Sequence, residues 1–165
     1  MPSAVLTVAY ALHLTATVLW IGGLTYLAFF AASLLTHLPP AERQAAWAAS
    51  VRRFLPLAWL CLAVFVATGL TQMSANPNYQ GLFVIHNPWA AAILAKHLVI
   101  AAMVILMAGQ TWVLHPRLER QALGLRPGDP AELDRLRRLD LSLVRAGAVL
   151  GLLVLVLTAL ARASG

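Results

Sequence analysis

Four long apolar runs, at about residues 3–35, 54–74, 88–114 and 141–161, dictate what this chain can fold into. At 1.5 Å per residue, each is long enough to cross a hydrocarbon layer ~30 Å thick. Lipid offers no partner to a backbone N–H or C=O, so each run is expected to be a helix that satisfies its own backbone. The fold class that follows is all-α: an integral membrane four-helix up-and-down bundle, with residues 1–165 forming a single domain. Composition agrees, because only 11% of residues are charged, where soluble domains carry roughly a quarter. The opening segment, MPSAVLTVAYALHL, lacks the basic start of a signal peptide and reads as the beginning of the first span.

The connections carry opposite messages. Residues 36–53, THLPPAERQAAWAASVRR, hold Arg43, Arg52 and Arg53 against Glu42, and residues 115–140 hold six arginines with acids among them. The middle connection, SANPNYQGLFVIHNP, has no charge. By the positive-inside rule, the first and third connections are cytoplasmic, and both termini lie outside, on the periplasmic side of an inner (plasma) membrane. The net charge of +6 is thus a topology signal, and membrane lipid, not nucleic acid, is the expected partner. Pro39-Pro40 opens a short helix that places Trp47 at the interface, and Asp129 to Glu132 (DPAE) caps a helix running into the fourth span. The lone Cys61 excludes an internal disulfide and is expected to be a packing residue.

Three ionisable side chains fall at membrane depth: His13, Lys96 and His97. His13 and His97 stand roughly 13–15 Å below the outer ends of two parallel spans, so they can face a common centre. Lys96 and His97 share the apolar stretch WAAAILAKHLVIAAMVILM, with no acidic residue in any of the four runs to pair with them. Intramembrane ionisable groups cost roughly 2.5–3.5 kcal/mol on insertion scales and mark functional sites by default. The plain alternative is hydrogen-bonded glue between helices. No Ser/His/Asp set, carboxylate pair, phosphate-binding loop or HExxH motif is present, so hydrolase and kinase chemistry have no residues.

Two ligands suit such a pair. Haem b would take His13 and His97 as axial ligands. Gly22, Gly23 and Gly69 would permit close approach, Trp20 and Trp59 would flank the ring, and Lys96 would meet a propionate. Copper would take the same histidines with Met73 and His86 near the outer surface. Met103 and Met107 share a face with Lys96, although methionine in an apolar helix is ordinarily filler. His37 and His115, at the cytoplasmic ends of spans, are expected to be interfacial or capping groups.

The first span, LHLTATVLWIGGLTYL, resembles that of CopD-type copper-resistance membrane proteins and of HemJ-type protoporphyrinogen oxidases, through His13, Trp20, Gly22 and Gly23. The third span, PWAAAILAKHLVIAAMV, is similar to theirs through Trp89 and Lys96. The likeness covers roughly the first 120 residues. The HemJ resemblance implies bound haem b with functional roles on His13 and Lys96, and the CopD resemblance implies copper uptake or handling. The chain departs from the HemJ pattern at AFFAAS, where that family carries an arginine, and has no Tyr-His at the end of that span. The leading expectation is a haem b-binding protein engaged in redox or electron transfer with a quinol or another membrane redox partner. The alternatives are a copper uptake or handling protein and a cofactor-free structural subunit, with the oligomeric state left open.

Overall fold

The structure is a computed structural model describing residues 3–77, 79–81, 83–85, 87–122 and 130–163. Four long helices carry the chain, each long and apolar enough to cross a membrane. Helix α1 spans Ser3–His37, α2 Pro40–Ser74 and α3 Pro88–Gln121. Helix α4 spans Pro130–Ala163.

The expected short helix after Pro39-Pro40 is instead the first part of α2, which runs unbroken for 35 residues. Pro40 sits at the first helical position, where a missing N–H costs nothing, and the alanine-rich AERQAAWAAS has high helix propensity. Pro56 lies inside α2 without ending it. At the start of α3, Asn87 caps the helix by accepting from the Ala90 backbone N–H at 2.7 Å, with Pro88 following at the first position. Helix α4 does begin near Pro130 and continue into the fourth apolar run. The proposed cap Asp129 lies outside the described residues.

Two π turns interrupt the α-helical pattern, at Tyr26–Ala31 in α1 and Gln110–Leu114 in α3. Each absorbs one extra residue into the helix and shifts which side chains face inward. In α1 the turn buries Leu27, Ala28 and Ala31 together.

Helix α1 packs chiefly on α2, and α3 on α4, while α1 also touches α4 and so joins the two pairs. Close approach depends on small residues, with Ala28, Ala58 and Ala148 having no exposed surface. A Cβ on Gly23 would fall 2.2 Å from the Phe54 ring, so α1 and α2 meet there only because Gly23 has none. Large apolar side chains such as Val18, Leu98 and Ile105 face outward, where lipid rather than water can accept them. The buried residues form one central cluster and one toward each end.

Candidate functional site

Toward the end of the bundle that carries the 75–87 connection, the four helices separate around a cavity of about 500 Å³. Ligand sites commonly have volumes of roughly 300–1,000 Å³. Helix α1 contributes His13 and Trp20, α2 contributes Met73, α3 contributes Lys96, His97 and Met103, and α4 contributes Arg162. His13, Lys96, His97, Trp20 and Met73 therefore share one space. His86 lies outside the described residues.

Both histidines are held in the same tautomer. The Thr68 hydroxyl donates its single proton to the Val64 carbonyl at 2.6 Å. Its oxygen can then only accept from His13 Nδ1, 2.8 Å away. Nδ1 of His13 thus carries the proton and Nε2 keeps its lone pair. His97 Nδ1 lies 2.7 Å from the Ile93 carbonyl, an acceptor only, so it too is the protonated nitrogen. Metal-ligating histidines show this pattern, one ring nitrogen anchored to an oxygen and the other presented to the ion. The His13 ring is further fixed edge-on against Phe65, at 5.0 Å between centroids, and Phe65 in turn leans on Trp20.

The cavity is cationic. Lys96 and Arg162 face it, and no carboxylate does among the described residues. Gln72 lines the wall while donating to the Ala9 carbonyl at 3.4 Å. Thr17 also lines it, its hydroxyl returned to the His13 carbonyl.

The glycines and the second tryptophan are placed differently from the sequence-based expectation. Gly69 lies beside the His13 ring, but Gly23 accommodates Phe54, and a Cβ on Gly22 would meet nothing within 4 Å. Trp59 does not line the cavity; it stacks at a tilt on Trp112 and reaches Thr111. Van der Waals fit between helices, not room for a ring, accounts for Gly23.

A second polar cluster, at the arginine-rich end, escaped the sequence reading. Asp140 is 2% exposed and belongs to α4, one residue before the fourth apolar run. Its carboxylate accepts from Trp47 Nε1 at 2.7 Å, Gln110 Nε2 at 3.0 Å and His115 Nε2 at 3.1 Å. Trp47 and His115, expected at the interface, are instead fastened to this buried acid, which ties α2 and α3 to α4. The π turn makes the cluster possible. In an α-helix, Gln110 and His115 would stand roughly 140° apart. Here the His115 N–H bonds to the Gln110 carbonyl five residues back, which brings both side chains to one face. A reading based on the α-helical period has no signal for that.

Fold and outward apolar surface define a multi-pass membrane protein with a mostly apolar interior chamber that carries His13, Lys96, His97 and Arg162. The family model for copper resistance protein D, CopD, matches residues 48–161, and the chain belongs to that family of copper-resistance membrane proteins of the inner (plasma) membrane. The match takes in Lys96, His97 and Asp140; His13 and Trp20 precede it. No curated protein and no solved structure matches the chain.

Proposed function

We propose that the protein takes copper into its membrane interior, as part of copper uptake or handling, through the cavity between its four helices. The observation that carries this reading is the matched tautomer of His13 and His97, two residues that line one chamber together with Met73 and Met103. Imidazole and thioether are the ligands that copper prefers among uncharged side chains. Membership in the copper resistance protein D family supports copper over other metals. The arginine-rich connections face the cytoplasm in this reading, so the chamber opens toward the outer side, where an arriving ion would meet Met73 first.

A second reading has its own support. The chamber is far larger than a bare ion needs, and Lys96 has no carboxylate partner among the described residues. Both features fit haem b, with His13 and His97 as axial ligands and Lys96 beside a propionate. Bound there, haem would supply one-electron exchange with a quinol or another membrane redox partner.

Copper titration and a visible spectrum of the detergent-purified protein separate the two. Copper handling predicts a colourless protein that binds Cu(I), with affinity lowered about 10–100-fold or more by His13→Ala or His97→Ala. Unchanged copper affinity when both substitutions are combined, His13→Ala with His97→Ala, would sink the copper reading. A Soret band that disappears in the same variants would establish haem.

A further inference from the structure

We infer that one outward face of α4 is a binding surface for an anionic phospholipid, with Arg135, Arg138 and Arg145 taking the phosphate and the aliphatic residues beyond them taking the acyl chains. The surface lies on the outside of the bundle, away from the chamber, so the inference stands whichever ion or cofactor the chamber takes.

Helix α4 has two faces of opposite character. Asp140, Val144 and Ala148 turn inward and are buried. On the other side Arg135, Arg138, Ser142 and Arg145 are all exposed. Spacings of three and four residues place them on one stripe. Continued at the same spacing, the stripe becomes Val149, Leu152 and Val156, which are exposed as well. Cation thus passes into hydrocarbon along a single unpartnered face, in the order in which a lipid presents its headgroup and its chains.

Arg145 stands about one turn inside the fourth apolar run, so its outward guanidinium meets lipid. A charge left in hydrocarbon is costly. Side chains on a helix lean toward its N-terminus, which for α4 is the arginine-rich end, so Arg145 reaches back toward Arg138 and the membrane surface. No carboxylate lies within ion-pair distance of the three arginines among the described residues. The nearby Asp134 is engaged with Arg137 at 3.3 Å, and Asp140 points into the bundle. Guanidinium groups match phosphate oxygens in a two-pronged geometry. A second copy of the chain on this face would set like charges against each other. Topology alone calls for arginines at this end of the bundle. It does not call for three on one outward face, without an acid, running on into the apolar part of the span.

The test uses the full chain reconstituted in vesicles of equal parts phosphatidylglycerol and phosphatidylcholine, then extracted in mild detergent. Native mass spectrometry counts the lipid retained on each chain. Phosphatidylglycerol is expected to be retained in preference to phosphatidylcholine. Arg138→Gln combined with Arg145→Gln should cut that preference about five-fold or more. Arg52→Gln combined with Arg53→Gln removes the same charge from exposed positions of α2, off the stripe, and should leave the preference unchanged. Equal retention of the two lipids by the native chain would overturn the site. Equal losses in the two paired variants would overturn it too, by reducing the effect to overall charge. A dimer that dissociates when Arg138 and Arg145 are replaced would assign the face to a second copy instead.

Discussion

At the scale of single residues, the decisive feature is a hydroxyl. Thr68 fixes which nitrogen of His13 keeps its lone pair, because its own proton is already committed to Val64. Thr68→Val keeps the shape and removes the acceptor. It is expected to lower copper affinity about 10–100-fold, read by competition titration, whereas Thr68→Ser retains it. Equal affinity in both variants would show that the hydrogen bond does not position the ring. The adjacent glycines give a stability test. Gly23→Ala forces a Cβ into the Phe54 ring, while Gly22→Ala meets open space. Thermal unfolding should show a loss of about 1–3 kcal/mol for Gly23→Ala and little change for Gly22→Ala. His13, Lys96 and His97 could be picked out of the sequence because ionisable groups are costly in an apolar run. Thr68 could not, since a threonine in a span ordinarily satisfies only its own helix.

Among the helices, the π turn at Gln110–Leu114 decides where the buried polar groups go. It carries one residue more than an α-helical turn would, so removing one should be tolerated there and nowhere nearby. Deleting Val113, half-exposed at 50%, leaves Gln110 and the histidine four apart, still on one face. Deleting Ile105, 69% exposed in regular helix, rotates everything beyond it by roughly 100°. The expected result is near-native unfolding for the Val113 deletion and a loss of about 3 kcal/mol or more for the Ile105 deletion, as befits a broken buried pair. Similar behaviour of the two deletions would refute this account of the turn. Strict α-helical periodicity leaves His115 off the Gln110 face, and its place at the end of a span suggested only an interfacial or capping group. Likewise the continuous helix through Pro56 was hidden because composition changes sharply at Arg52-Arg53, which marks a membrane boundary and not a helix end.

For the whole molecule, charge placement predicts an orientation by the positive-inside rule. The arginines of the first and third connections gather at one end, and the uncharged connection lies at the other. Cysteine placed at Tyr79 should react with an impermeant thiol reagent in intact cells, and cysteine at Arg120 should not; Cys61, 2% exposed, stays silent in both. The reverse pattern would invert the topology. The sequence by itself determined the number of helices, their all-α membrane class and the three ionisable residues worth following, because lipid penalises every unpaired polar group and so writes spans and their exceptions into composition. Only the tertiary structure decided that His13, Lys96, His97 and Met73 share one chamber. It also decided that Asp140 lies buried against Trp47, Gln110 and His115. Which faces of four nearly featureless apolar helices turn toward one another depends on small-residue contacts such as Gly23 on Phe54 and on the phase shift of two π turns, and neither leaves a periodic mark in the chain.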